Sequence, residues 1–122
     1  MKNYPVKKIY FLGSCSTCIR IMKEIGVDDS WKQQDVKLEK LTVSQIEEMF
    51  GLSGSYESLF SRRAMKYKSM GLKEKNLSEV DYKKLILDEY TFLKRPVIII
   101  EGKIFIGNSK KVVASVIEEI NA

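Results

Sequence analysis

The chain has 122 residues, of which 44% are apolar, and this is enough for one ordinary globular domain with a single core. Lysine and arginine (21) exceed aspartate and glutamate (16), and the resulting formal charge of +5 is spread along the sequence instead of forming a polybasic tail. The absence of histidine excludes Cys-His and Ser-His-Asp catalysis and most zinc sites, so we expect no bound metal.

The first third of the sequence predicts a strand, a helix and a second strand. Residues 6–12 form an apolar, β-favouring run that ends in a Gly-Ser turn, as expected for a buried strand. From residue 17 onward, apolar residues recur at three-residue spacing until Gly26, which describes a short amphipathic helix with a glycine stop. Residues 31–38 fit a second strand, although their alternation is imperfect.

Helical signals dominate the middle of the chain. Thr42 and Gln45 have the spacing of a capping box, and they predict a helix that begins directly after Thr42 and ends near residues 50–51. Residues 52–72, which contain two glycines, predict short helical pieces instead of one long helix. Ser78 opens a further helix that presents an apolar face.

The C-terminal third predicts a hairpin and a last helix. Pro96 precedes the β-favouring run 97–100, and a Glu-Gly pair separates this run from a second one at 103–106. Either Asn108 or Ser109 caps the final helix, whose apolar residues recur every three or four positions.

These elements follow the order of a thioredoxin-like α/β fold. A βαβ unit, a helical insertion and a ββα unit make a central mixed four-stranded sheet flanked by helices. We expect a single domain over residues 1–122, with the helical insertion at about residues 42–93.

The sequence also predicts where the protein is found. The N-terminal residues 1–5 have neither an apolar signal core nor a small-residue cleavage site, and no run reaches the roughly 18 to 20 apolar residues of a membrane span. We therefore expect a cytoplasmic protein with no membrane partner. Because cytosolic thiols are kept reduced, two neighbouring cysteines indicate a reactive pair in preference to a permanent disulfide.

The candidate site is the C-S-T-C motif formed by Cys15 and Cys18, where the first strand passes into the first helix. One helical turn brings both sulfurs within disulfide reach, and the unpaired amides of the helix start favour a thiolate on the first cysteine. Cys15 is then the nucleophile and Cys18 the resolving thiol. Ser14 forms part of the turn, and Ser16 and Thr17 are placed to cap the helix or to donate hydrogen bonds to the thiolate.

A CxxC pair by itself has other interpretations. The two cysteines could be inert small apolar side chains or half of a shared metal site, and Cys18 could simply be a buried core residue. The strand before the pair, the helix after it and the proline-led strand later in the chain favour the redox interpretation.

With these motifs the chain resembles the arsenate reductase (ArsC, glutaredoxin-dependent type)/Spx/YffB-like family of thioredoxin-fold proteins. The resemblance extends over nearly the whole chain, through residues 9–15, residues 67–72 and the K-R-P-V-I-I-I stretch at 94–100, which Gly107 follows. The arginine–proline strand is the most family-specific part, since many redox proteins share the cysteine motif.

The resemblance implies roles for individual residues. Cys15 matches the nucleophile that attacks arsenate, and Cys18 matches the second cysteine of Spx-like members. Arg95 matches an arginine that helps to bind the oxyanion, a task that suits the guanidinium fork. Pro96 matches the proline that is usually cis and lies next to the active cysteine.

Other positions depart from the reductase pattern. Ser61 stands where a reductase has a helical arginine, with Arg62 and Arg63 directly after it, and Gly107 replaces another arginine. We expect Arg62 and Arg63 to assist Arg95 in binding the substrate. The alternative is that all three are ordinary surface charges, with Arg95 merely at the end of a helix.

Two functions follow from the resemblance. The first is a thiol-dependent enzyme that acts on arsenate or a related oxidised substrate, holds no bound cofactor, and is reduced by glutathione with glutaredoxin or by thioredoxin. The second is an Spx-like redox-sensing regulator that binds RNA polymerase through its protein surface. Trp31 and the tyrosines do not interleave with basic residues in a nucleic-acid-binding pattern, so we expect no direct nucleic-acid binding.

Overall fold

The computed structural model describes residues 6–122. This part of the chain divides into two compact units, of which the first joins the N-terminal segment up to Glu39 to Arg95–Ala122, and the second is Lys40–Lys94. The second unit contains the whole of the predicted insertion, residues 42–93. The helices and strands are, in chain order, β1 (Lys7–Phe11), α1 (Ser16–Ile25), β2 (Lys32–Asp35), α2 (Val43–Ser53), α3 (Met65–Ser69), α4 (Glu79–Asp88), β3 (Val97–Ile100), β4 (Lys103–Ile106) and α5 (Lys110–Ile120).

The first unit is built on a mixed sheet of the four strands in the order β2-β1-β3-β4. Strand β1 pairs in parallel with β2 and antiparallel with β3, and β4 completes the antiparallel hairpin with β3. In the hairpin turn, Glu101 and Gly102 have φ angles of 46° and 79°, as in the tight turns whose twist matches that of paired strands. The predicted α/β fold with a mixed four-stranded sheet flanked by helices is confirmed.

A hydrophobic core joins the sheet of the first unit to α1 and α5. Both helices are amphipathic, and their buried residues recur at the three- and four-residue spacing of one helix face. Ser109 caps α5 by accepting a hydrogen bond from the Val112 N–H at 3.1 Å, which decides between the two predicted caps. The buried members of this core are Ile9, Ile21, Ile25, Trp31, Ile98, Ile100, Val113 and Val116.

Strand β2 is shorter than the predicted run 31–38. It ends at Asp35, whose carbonyl oxygen accepts hydrogen bonds from the Leu38 and Glu39 N–H groups at 3.1 and 2.8 Å. The chain therefore turns at this point, and the Leu38 side chain is left 83% exposed. The prediction extended the strand too far because Leu38, an apolar residue of the turn, fits the alternating pattern of a strand.

The second unit contains the predicted helical pieces. The capping box of Thr42 and Gln45 is present at the start of α2, but this helix continues to Ser53 and does not end at residues 50–51. Gly51 lies inside the helix, whereas Gly54 has the φ of +90° that ends it. The segment between α2 and α4 consists of the five-residue α3 and short 3₁₀ turns, as predicted.

Aromatic side chains fill the core of the second unit. The Phe60 ring lies 5.0 Å from the Phe92 ring and 4.9 Å from the Tyr82 ring, measured between centroids. Ser78 caps α4 and forms a capping box with Asp81. No helix in the described part of the chain has the length and apolar character needed to cross a membrane.

Candidate active site

Cys15 is the N-cap of α1, at the end of the turn that follows β1. Its backbone is still extended, with φ −93° and ψ 111°, and its N–H donates to the Leu12 carbonyl at 3.0 Å. Its own carbonyl already accepts the Ile19 N–H at 3.2 Å, so the helix begins at the next residue. Ser16 and Thr17 are thus the first helical residues and not caps, because the turn ends one residue earlier than predicted.

The two cysteines differ in exposure. Both are free thiols; Cys15 is half-buried, and Cys18, one turn further along α1, is fully buried. The outer sulfur can meet a substrate, whereas the inner one is shielded from it. This difference fits a nucleophile and a resolving thiol.

The surroundings of Cys15 favour its ionised form. Burial opposes ionisation, but hydrogen bonds from the backbone N–H and the thiol of Cys18 and from the Thr17 N–H stabilise the thiolate, and the Arg95 charge adds to them. Together these contributions lower the pKa of Cys15 below its ordinary value. Thr17 therefore acts through its backbone N–H at the helix start.

The pKa of Cys18 is shifted in the opposite direction. Burial and, to a lesser extent, the negative charge of Cys15 raise the pKa of its thiol to about 11, against a smaller lowering by the Leu12 backbone and Arg95. At neutral pH Cys18 is therefore protonated. The site combines one thiol whose pKa is lowered with one thiol that is protonated.

Arg95 and Pro96 belong to the same unit as the two cysteines. The half-buried Arg95 is close enough for its charge to lower the pKa of both thiols. The Arg95–Pro96 peptide bond is cis, as the resemblance implies, and Pro96 is buried. The Pro96 carbonyl accepts the Gly107 N–H at 3.0 Å, and Gly107 has a φ of +95°, a conformation that favours glycine.

Arg62 and Arg63 lie in the second unit, where Arg62 has partners of its own. The Arg62 Nη2 is 2.6 Å from the Glu57 Oε2 and 3.1 Å from the Tyr82 hydroxyl, and its guanidinium lies 5.8 Å from the centre of the Tyr82 ring. Arg63 is exposed. Their predicted role in substrate binding stays a prediction.

One residue of the site was missed by the sequence analysis. Asp35, at the end of β2, accepts a hydrogen bond from the Gly13 N–H in the turn before Cys15. The signal was available, since the ends of two neighbouring parallel strands lie at the same edge of a sheet. Within residues 6–122 there is no group of three or more metal-ligating side chains that could hold an ion.

A CxxC pair at the start of the first helix, beside a cis-proline strand in a mixed four-stranded sheet, defines the class of thioredoxin-fold dithiol proteins. The sequence matches the model of the ArsC family over residues 10–116, and the chain therefore belongs to the ArsC family. This confirms the family that the resemblance named.

Solved structures give the same result for the fold. The chain is similar to a possible arsenate reductase from Streptococcus mutans UA159, with 26% identity, a TM-score of 0.67, and coverage of 88% of this chain and 93% of that one. An arsenate reductase from Vibrio cholerae gives 15% identity, a TM-score of 0.72, and coverage of 95% and 98%. An arsenate reductase (ArsC) related protein from Brucella melitensis gives 19% identity, a TM-score of 0.68, and coverage of 94% of this chain and 97% of that one. A comparison with curated proteins gives no significant match.

Proposed function

We propose that this chain is a thiol-dependent redox protein of the cytoplasm whose Cys15 attacks arsenate or a related oxidised substrate. The observation that carries the proposal is that the pKa values of the two thiols are shifted in opposite directions, since that of Cys15 is lowered and that of Cys18 is raised to about 11. The family and the similar proteins named arsenate reductase support this choice of substrate class.

The first chemical step forms a bond between the Cys15 sulfur and the arsenic(V) atom, while one arsenate oxygen takes up protons and leaves as water. Arg95 binds the remaining oxyanion oxygens by charge-assisted hydrogen bonds. Arg62 and Arg63 are proposed as further contributors to binding. The step consumes the negative charge of the Cys15 thiolate.

That loss of charge prepares the second step. The thiolate charge of Cys15 is one of the causes that raise the pKa of Cys18, so Cys18 ionises more readily once Cys15 is bonded to the substrate. Its sulfur then attacks Cys15 and forms a disulfide. The electron pair of the broken sulfur–arsenic bond stays on arsenic, which leaves as arsenic(III), and the Cys18 proton goes to an oxygen of the product.

The disulfide must be reduced by an external two-electron thiol donor. Glutathione with glutaredoxin, or thioredoxin, has the required chemistry. No cofactor is needed within the protein for this cycle.

The test is an arsenate assay with glutathione and glutaredoxin, and in parallel with thioredoxin. Wild-type protein should turn over, Cys15→Ser should be inactive, and Cys18→Ser should accumulate a Cys15 adduct that mass spectrometry detects. Reactions without the reductant protein give the background. Turnover no faster than that background with either donor would contradict the arsenate proposal.

A second candidate function is an Spx-like regulator that binds RNA polymerase. It is favoured by the segment 62–75 of the second unit, where six lysines and arginines stand against one glutamate and all seven side chains are exposed. Such a surface suits an acidic protein partner. Purified RNA polymerase should bind the oxidised and reduced proteins with different affinities, and equal or absent binding would argue against this function.

A further inference from the structure

Asp35 connects the turns that follow two neighbouring parallel strands. The register of β1 and β2 pairs Asp35 with Phe11, so its side chain lies at the strand end from which the Cys15 turn begins. Its Oδ2 accepts the Gly13 N–H at 3.1 Å, and its Oδ1 accepts the Lys37 N–H at 3.0 Å. One carboxylate thus fixes its own turn and the turn that leads to the cysteine.

The sequence at Gly13 fits this contact closely. A Cβ atom at Gly13 would lie 2.6 Å from the Asp35 Oδ2, so any other residue at this position would force the carboxylate to shift. Gly13 does not have a positive φ, so its backbone conformation is open to other residues. The close approach of the carboxylate to the Gly13 N–H therefore depends on glycine at this position.

The contact lies two residues from the nucleophile, on a turn that is held at both ends. The Gly13 N–H is bound by Asp35, and the Cys15 N–H is bound by the Leu12 carbonyl at 3.0 Å. The Cys15 sulfur gains its stability as a thiolate from amides at the start of α1, and such hydrogen bonds weaken steeply when the angle or distance changes. A looser turn would move the sulfur away from these donors.

We propose that Asp35 is a positioning residue, whose carboxylate holds the Gly13 turn so that the Cys15 sulfur faces the Thr17 and Cys18 amides. This role rests on the proposed function, in which Cys15 is the nucleophile. Asp35 itself does not touch the substrate. Its contribution is made entirely through the backbone of the turn.

The negative charge of Asp35 allows positioning to be separated from electrostatics. Charge alone would disfavour the Cys15 thiolate, so Asp35→Ala and Asp35→Asn would both make Cys15 more reactive if charge were the only effect. A positioning role predicts instead that Asp35→Ala makes Cys15 less reactive. Asp35→Asn keeps one carbonyl acceptor for the Gly13 N–H and should retain more of the wild-type reactivity.

The experiment measures the alkylation of Cys15 by iodoacetamide in the full chain, followed by peptide mass spectrometry over a range of pH. Asp35→Ala should lower the rate constant at pH 7 about fivefold, as expected from the loss of roughly one hydrogen bond, and should move the pH midpoint upward. The matched control is Asp28→Ala, which removes a carboxylate that accepts the Ser30 N–H at 2.9 Å. Asp28→Ala should leave the reactivity of Cys15 unchanged.

A double-mutant cycle tests the contact itself. Gly13→Ala should slow alkylation in the wild-type background, because its methyl group displaces the carboxylate. In the Asp35→Ala background the same change should have a smaller effect, since the space is then free. If the two effects simply add, the contact does not act on Cys15 and the positioning role is wrong.

The outcomes separate this role from the proposed function. If wild-type Cys15 reacts no faster than a free cysteine, both proposals fail together. If it reacts fast and Asp35→Ala behaves like Asp28→Ala, only the positioning role is lost. Should Asp35→Ala fail to fold, Gly13→Ala decides, because it keeps the carboxylate charge and positioning still requires it to react more slowly than the wild type.

Discussion

At the scale of single residues, the site depends on an unequal pair of thiols. Cys15 and Cys18 are three positions apart on one helix turn. Even so, the helix amides lower the pKa of Cys15, whereas burial raises the pKa of Cys18. A symmetric pair would have no defined nucleophile. The inequality supports the proposal that Cys15 makes the attack and that Cys18 stays protonated until the second step.

Arg95 is the side chain whose charge most directly tests this assignment. Its positive charge lowers the pKa of Cys15, so Arg95→Ala should move the midpoint of Cys15 alkylation to higher pH. Below that midpoint the variant has less thiolate and reacts more slowly, whereas well above it the two proteins react alike. Arg95→Lys keeps the charge and should lie between them.

The control for this measurement is Arg20→Ala on the exposed side of α1, because Arg20 is not among the groups that shift the pKa of Cys15. An unchanged pH midpoint for Arg95→Ala, or an equal shift for Arg20→Ala, would show that Arg95 does not act on the thiolate.

At the scale of secondary structure, two glycines have opposite effects on α2. Gly51 lies inside the helix, where an added Cβ atom would meet nothing within 4 Å beyond the adjacent backbone of its own helix, whereas Gly54 ends the helix at a φ of +90°. The first glycine weakens a helix interior, and the second provides the left-handed residue that satisfies its last carbonyls.

Alanine substitutions at these two glycines should therefore change stability in opposite directions. Gly51→Ala should raise the free energy of unfolding by about 0.5 to 1 kcal/mol through better helix propensity. Gly54→Ala should lower it by about 1 to 2 kcal/mol, because an L-residue is strained in the left-handed region. Urea denaturation measures both, and changes of the same sign would contradict the end of α2 described above.

At the scale of the whole molecule, the first unit is discontinuous in sequence, because the second unit is inserted between its two parts. The sheet of the first unit takes β1 and β2 from before the second unit, and β3 and β4 from after it. The first unit is therefore complete only when both parts of the chain have come together. We propose that the chain behaves as a single domain despite this division.

A single domain predicts one cooperative unfolding transition. Trp31 is the only tryptophan and is buried in the core of the first unit, so its fluorescence reports on that unit alone. Far-UV circular dichroism also reports on the helices of the second unit. The two signals should give the same midpoint in urea, and separate midpoints would show two independently unfolding units.

Local signals were enough to predict much of the fold. The capping box at Thr42, the glycine stop at Gly26 and the hairpin after Pro96 depend on residues only a few positions apart, and the structure confirms each of them. The ends of β2 and α2 were predicted wrongly. The apolar Leu38 indicated a strand but lies exposed in a turn, and Gly51 indicated a helix end but lies inside α2.

The sequence by itself determined the elements, their order and the cysteine pair, because these depend on contacts within one turn or strand. Only the tertiary structure decided which distant groups meet that pair. The parallel pairing of β1 with β2 brings Asp35 to Gly13, and the sheet brings Arg95 to the start of α1, far earlier in the chain. Strand pairing between distant segments sets such contacts, and no short stretch of sequence contains them.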